Sequence, residues 1–145
     1  MFAFIFTLSV WFSDYNEDVI NEVTIPNTLL NVPSDPQETR FFSGDWANLE
    51  NSILVNQIKN ENDKFDLILT SETIYNVENQ SKLVSIFQNF TKKEGEVLVG
   101  AKSVYFGVGG GVRQFESLVK KLGLNVDTVK KYEEGVKREI LKITL

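Results

Sequence analysis

The sequence predicts an α/β fold, a parallel sheet with helices on both faces and an antiparallel strand at its end. Two largely apolar runs, Phe65–Thr70 and Glu96–Ala101, have the composition of buried parallel strands. Each is followed by a segment with apolar residues at helical spacing, Asn79–Phe90 and Val112–Leu122. The last segment, Arg138–Thr144, alternates apolar and polar residues and predicts the antiparallel strand.

The first part of the chain predicts a strand, a helix and a second strand. The apolar run Met1–Phe12 lacks a basic n-region and is shorter than the roughly 20 residues that span a bilayer, so we interpret it as a strand. Asp18–Leu30 has helical spacing, and we expect Pro26 to limit or end that helix. Arg40–Ser43 predicts a short strand. The remaining predictions are a loop at Asn31–Glu38, a helix at Leu49–Ile58, turns at Lys59–Lys64 and Lys92–Gly95, a glycine-rich connection at Gly107–Gly111 and a strand at Val126–Tyr132.

Composition excludes several kinds of site. The chain has 145 residues, which predicts one domain, and it contains neither cysteine nor histidine. Disulfides, Cys/His metal sites and Ser-His-Asp triads are therefore excluded, and we expect no metal centre. With a net charge of −5, the chain has no broad basic surface of the kind that binds nucleic acid, and no segment predicts a membrane span.

Candidate ligand contacts follow the predicted strands, because ligands of open parallel sheets bind at the carboxyl ends of strands. Asp14 ends the first strand, where a carboxylate can accept hydrogen bonds from ribose hydroxyls or form an Asx-turn. Asp45 and Trp46 follow the next strand, where they can contact an adenine ring or form a turn with a half-buried tryptophan. Both alternatives stay open at each position.

The polar stretch Ser71–Asn76 directly follows the most central of the predicted strands. Glu72 and Tyr75 are three residues apart, so on a helical turn they share a face that can hold a hydrogen-bonding group of a substrate. The alternative is a capping arrangement for the next helix.

The stretch Tyr105–Gly111, here called the glycine loop, is the most unusual in the chain. Its glycines resemble a dinucleotide fingerprint, but the third glycine position is Val112 and the loop follows a late strand. A closely approached substrate loop is the favoured interpretation, and a dinucleotide-dependent oxidoreductase is disfavoured.

Four blocks carry a resemblance to a known family, and it covers nearly the whole chain from Phe12. The sequence resembles the protein-histidine N-methyltransferases of the methyltransferase-like 18 type, which are seven-strand, Rossmann-like enzymes. The resemblance implies S-adenosylmethionine as cofactor and methyl transfer to a histidine ring nitrogen of a large-subunit ribosomal protein, in the cytoplasm and nucleus. The matching blocks are Asp14–Asn16, Arg40–Trp46, Phe65–Asn76 and Tyr105–Val112.

The resemblance also implies a role for each candidate residue. Glu72 and Tyr75 would line the channel between methyl donor and acceptor. From the chemistry of the acceptor, we expect Glu72 or Asn76 to fix the tautomer of its imidazole, which makes Glu72, Tyr75 and Asn76 the candidate catalytic residues. The cofactor would be held by Asp14, Asp45, Trp46 and Ser71. The substrate side would be shaped by Tyr105, Phe106, Gly107, Gly109, Gly110 and Gly111.

One family element has no counterpart in this sequence. The family's first strand ends in an acidic residue and a glycine-rich cofactor loop, whereas Met1–Val10 contains no glycine. We therefore expect the first strand to be missing or replaced, leaving Phe65–Thr70 without its usual neighbour unless Met1–Val10 substitutes for it. The chain is either a fragment of a longer enzyme or a protein that lost this loop, and in both cases we expect little activity from it alone. A non-catalytic binding module that keeps the substrate-side surface is the alternative function.

Overall fold

The computed structural model describes most of the chain, namely residues 9–31, 39–107 and 109–145. Most of the predicted strand Met1–Phe12 therefore lies outside the described residues. The same holds for most of the predicted loop Asn31–Glu38 and for Val108 of the glycine loop.

The chain divides into two compact units, Met1–Ile53 and Leu54–Leu145. The first unit contains a two-stranded sheet and the second a four-stranded sheet, and helical segments follow the strands in both. This content confirms the predicted α/β class, while the single domain spanning 1–145 stays a prediction. Within the part of the chain that is described, no helix is long and apolar enough to cross a membrane.

The sheet of the first unit consists of β1 (Val10–Asp14) and β2 (Thr39–Ser43), which run parallel. The position of β2 confirms the strand predicted at Arg40–Ser43. Aromatic side chains hold the pair together, since the rings of Phe12 and Phe41 stack with centroids 5.4 Å apart.

A helix follows β1 as predicted, but the expected end at Pro26 is wrong. A π-helical segment, Val19–Thr24, leads directly into α1 (Ile25–Asn31), which contains the proline. The N–H of Ile25 donates to the carbonyl of Ile20, five residues back, which is the π-helical pattern. The change from π-helix to α-helix therefore falls next to Pro26, which has no N–H to donate. The missing donor therefore falls at the junction of two helix types and does not interrupt a regular α-helix.

Short helical segments connect β2 to the second unit. The helix predicted at Leu49–Ile58 begins earlier, at Trp46, because the side chain of Asp45 caps it by accepting the N–H of Ala47. The segments are α2 (Trp46–Asn48), a π-helical segment (Leu49–Leu54), α3 (Val55–Gln57) and a 3₁₀ turn (Glu61–Asp63).

The second unit is built on four strands in the spatial order β3-β4-β6-β5. The pair β3–β4 is parallel, whereas β6 runs antiparallel to both of its neighbours. The predicted antiparallel strand is therefore present, but it lies between β4 and β5 and not at the end of the sheet. The strand bounds are β3 (Phe65–Ser71), β4 (Thr91–Lys102), β5 (Asn125–Tyr132) and β6 (Arg138–Thr144).

Two helices, α4 (Val77–Phe90) and α5 (Val112–Lys121), cover one face of this sheet. Phe87 of α4 and Phe115 of α5 are at most 1% exposed. They belong to an apolar core with the inward-facing residues of the central strands, such as Val99 of β4. The helical faces predicted from the apolar spacing are thus confirmed.

Two local predictions in the second unit are wrong. Phe65–Thr70 was expected to be buried, but Leu69 is 68% exposed, and β3 is the edge strand of the described sheet. Lys92–Gly95 was expected to be a turn, but it belongs to β4. This segment shifts the register of the pairing between β4 and β3. At the shift, the Nζ of Lys92 forms an ion pair with the Oδ1 of Asp66 at 2.7 Å.

Candidate active site

The carboxyl ends of β3 and β4 meet at one edge of the sheet, because the two strands are parallel. Ser71 pairs with Gly100 there, and the N–H of Glu72 donates to the carbonyl of Gly100 at 2.9 Å. Glu72 has a φ of 56°, which makes it the one non-glycine residue of the described chain in the left-handed region. Such a backbone is uncommon for glutamate and is found at functional sites.

A cleft of about 450 Å³ opens at this edge, a volume within the usual range of ligand pockets. It is called the β3–β4 cleft below. Two predicted residues, Ser71 and Glu72, line it. The other lining residues come from β4, β5 and β6: Gly100, Ala101, Lys102, Tyr132, Arg138, Glu139 and Ile140.

Charged and aromatic groups are interleaved at the mouth of this cleft. The Nζ of Lys102 lies 3.6 Å from the Oε2 of Glu72 and 5.5 Å from the ring centroid of Tyr105. The backbone N–H of Lys102 also donates to the hydroxyl of Tyr105 at 3.1 Å. These contacts bring together three residues from the ends of β3, β4 and the loop that follows.

The phenol of Tyr105 stays protonated at neutral pH. Burial raises its pKa above 10.0, and the nearby Glu72 carboxylate raises it further, while the hydrogen bond from the Lys102 backbone acts in the opposite direction. The Tyr105 hydroxyl is therefore a neutral donor beside a carboxylate.

Tyr75 and Asn76 have different surroundings. The ring of Tyr75 is tilted against that of Tyr105, with centroids 6.3 Å apart, and it is about half exposed. The Oδ1 of Asn76 accepts the N–H of Glu78 at 2.9 Å and caps α4. The capping alternative is thus realised at Asn76, whereas Glu72 and Tyr75 face the glycine loop.

The glycine loop packs against the turn after β3. Asn76 and Gly109 form an antiparallel bridge, and the N–H of Tyr105 donates to the carbonyl of Gly110 at 3.1 Å. A Cβ on Gly110 would lie 2.4 Å from the carbonyl oxygen of Tyr75, so only glycine permits this approach. Phe106, near the tip, is 94% exposed.

The first unit brings the predicted cofactor residues Asp14 and Asp45 to the ends of its two strands. Asp14 accepts the N–H of Asn16 at 2.8 Å, and its carbonyl accepts the N–H of Gly44 at 3.0 Å. Asp45 caps α2 and is followed by the half-buried Trp46. The turn and cap alternatives are thus realised at both aspartates.

Four cleft residues on the closing strands were missed by reasoning from sequence: Tyr132, Arg138, Glu139 and Ile140. Arg138 of β6 pairs with Lys102 of β4 on one side and with Tyr132 of β5 on the other, and Glu139 follows it in the chain. Their presence depends on the antiparallel insertion of β6 between β4 and β5. These residues could have been predicted if the start of the last strand had been paired with the end of Glu96–Ala101.

Solved structures share the fold of this chain. A protein from Pyrococcus horikoshii OT3 has a TM-score of 0.63 at 12% identity, and covers 95% of this chain and 72% of its own. A TehB-like SAM-dependent methyltransferase from Corynebacterium glutamicum has a TM-score of 0.61 at 16% identity, and covers 94% of this chain and 67% of its own. The predicted Rossmann-like fold is therefore confirmed.

Sequence comparisons identify the family. A family model described as lysine methyltransferase matches residues 5–106, and the chain belongs to this family. The histidine protein methyltransferase 1 homolog of Dictyostelium discoideum is 42% identical over 138 residues, which cover 93% of this chain and 42% of that relative. The homolog of Mus musculus is 37% identical over 158 residues, covering 93% and 43%. These matches confirm the resemblance to protein-histidine methyltransferases, and the chain spans about two fifths of the length of these relatives.

Proposed function

We propose that the protein represented by this chain transfers a methyl group from S-adenosylmethionine to a ring nitrogen of a histidine in a protein. The observation that carries the proposal is the 42% identity to a histidine protein methyltransferase homolog. The β3–β4 cleft supports it, because a carboxylate, a neutral phenol and a second tyrosine converge near it without any histidine or cysteine of the chain.

The chemistry of the chain's residues suits an imidazole acceptor. The Glu72 carboxylate can accept the N–H of one ring nitrogen, which leaves the lone pair of the other nitrogen available for attack. The half-exposed ring of Tyr75 can pack against the imidazole, so that alignment supplies most of the rate enhancement. The reaction places one positive charge on the product imidazolium until the N–H proton leaves, and Glu72 is positioned to stabilise it.

The first unit offers hydrogen-bond acceptors and an aromatic ring that suit S-adenosylmethionine. The carboxylates of Asp14 and Asp45 can accept hydrogen bonds from ribose hydroxyls or an adenine amine, and Trp46 offers a ring to stack on. Ser71, at the end of β3 in the second unit, stays a predicted cofactor contact. When bound, the cofactor supplies an electrophilic methyl group on a sulfonium.

The finer features of the proposal rest on the resemblance to the family. We propose a large-subunit ribosomal protein as substrate and the cytoplasm and nucleus as its location. We also propose that these 145 residues alone transfer methyl groups slowly, because no glycine-rich loop precedes Asp14 in this sequence. Retention on an S-adenosylmethionine resin separates this proposal from a binding module that has no cofactor site.

Mass spectrometry of the product tests the acceptor. Ribosomal protein from cells lacking this activity would be incubated with S-adenosylmethionine and the longest available form of the enzyme, then fragmented to locate the added methyl group. We expect it on a histidine ring. A methyl group on lysine, the residue named by the family description, would contradict the proposal.

A further inference from the structure

A buried carboxylate beside the β3–β4 cleft joins three elements of the second unit. Glu139, on β6, is 5% exposed. Its Oε1 accepts the hydroxyl of Ser103 at 2.9 Å, and its Oε2 accepts the Nη2 of Arg113 at 2.8 Å. The Nζ of Lys131 lies 3.9 Å from the same Oε2. Both oxygens are thus engaged, as a buried carboxylate requires.

Ser103 and Arg113 lie at the two ends of the segment that contains the glycine loop. Ser103 directly follows β4, whereas Arg113 is in the first turn of α5. The backbone also closes this segment, since the N–H of Val112 donates to the carbonyl of Ser103 at 3.2 Å. Glu139 therefore holds both ends of the loop from one point on a rigid strand.

The segment delivers Tyr105 to the proposed site. The hydroxyl of Tyr105 accepts the N–H of Lys102, and its own N–H donates to Gly110, so the ring position depends on the geometry of the loop. A shift at either end would move this ring relative to Glu72.

We propose that Glu139 is a positioning residue that holds the glycine loop, and with it Tyr105, in the geometry that receives the protein substrate. The inference rests on the proposed function. Glu139 acts through Ser103 and Arg113, and its carboxylate takes no part in the transfer itself. Loss of its charge should therefore weaken the use of protein substrate while leaving cofactor binding unchanged.

Amide hydrogen exchange tests the positioning without any activity. In Glu139→Gln we expect exchange of the Tyr105 and Val112 amides to rise about tenfold or more, because a charged hydrogen bond at each end of the loop is weakened. Glu116→Gln is the matched control, since Glu116 binds the other side of Arg113 at 2.7 Å but does not contact Ser103. Equal exchange in both variants, or an increase spread evenly over Leu54–Leu145, would overturn the proposal.

Kinetics of the longest available enzyme test the consequence. We expect Glu139→Gln and Ser103→Ala to raise KM for the protein substrate about tenfold, with an unchanged dissociation constant for S-adenosylmethionine. Ser103→Thr keeps the hydroxyl and should therefore restore the wild-type KM. A loss of kcat with unchanged KM, or no recovery with threonine, would contradict the proposal. If the wild-type enzyme methylates no histidine while the exchange results hold, the proposed function fails and the loop assignment stands.

Discussion

The ionisation of Tyr105 matters most at the scale of single residues. Its raised pKa means that folding favours the protonated phenol, so this contribution to stability is complete below the unfolded pKa of about 10 and is lost as pH rises through the folded pKa. The hydroxyl also accepts the N–H of Lys102, a contact that contributes about 1 kcal/mol.

Tyr105→Phe should therefore be less stable than the wild type by about 1 kcal/mol at neutral pH, because the Lys102 N–H loses its acceptor. The difference should be constant from about pH 7 to 9 and shrink above about pH 10. Urea unfolding of both proteins across this range measures it. A difference that grows at alkaline pH would show that the phenolate, and not the phenol, is stabilised by the fold.

At the scale of elements, the close packing of the glycine loop on the turn after β3 makes its own prediction. Gly110→Ala should displace the loop, since the new Cβ would lie 2.5 Å from the carbonyl oxygen of Ile74, and should cost about 1–3 kcal/mol. Gly135→Ala is a useful comparison, because that glycine has a φ of 66° but no atom near the added Cβ. It should cost about 1 kcal/mol from backbone strain alone.

The two glycine variants should differ most in catalysis. We expect Gly110→Ala to reduce kcat/KM for the protein substrate by about a hundredfold, the loss typical of a small displacement in an active site. Gly135→Ala should stay within about twofold of the wild type. Equal losses of kcat/KM in both variants would mean that the loop position is unimportant for substrate.

At the scale of the whole molecule, most elements could be predicted from the sequence because apolar periodicity is a local signal. Helices α4 and α5 were found in this way, since their buried faces repeat at helical spacing. The irregularity at Lys92–Gly95 could not be found, because its anchors, Glu61 and Asp66, lie far away in the sequence. The turn formed by Asn76 has the same local signature whether it caps a helix or binds a ligand, so only the hydrogen bond to Glu78 distinguishes the two.

The exposed edge of the described sheet predicts how the chain behaves in solution. Leu67 and Leu69 of β3 are 45% and 68% exposed on a strand with one described neighbour, which favours association between chains. Leu69→Lys should reduce concentration-dependent association in light scattering and change the free energy of unfolding by less than about 0.5 kcal/mol. Val136→Lys, at an exposed position between β5 and β6, should leave association unchanged. The same association in both variants would exclude the β3 edge as its cause.

We propose that the turn after β3 receives the acceptor histidine, and variants of Glu72 test this most directly. The measurement is the rate of histidine methylation by Glu72→Gln compared with Glu133→Gln. Both glutamates form ion pairs with lysine, at 3.6 and 3.3 Å, but Glu133 lies in the exposed connection between β5 and β6. We expect kcat of Glu72→Gln to fall by about a hundredfold or more, because the imidazolium that develops on the acceptor loses the negative charge that stabilises it, while Glu133→Gln keeps the wild-type rate. Equal rates in the two variants would remove Glu72 from the active site and contradict the account.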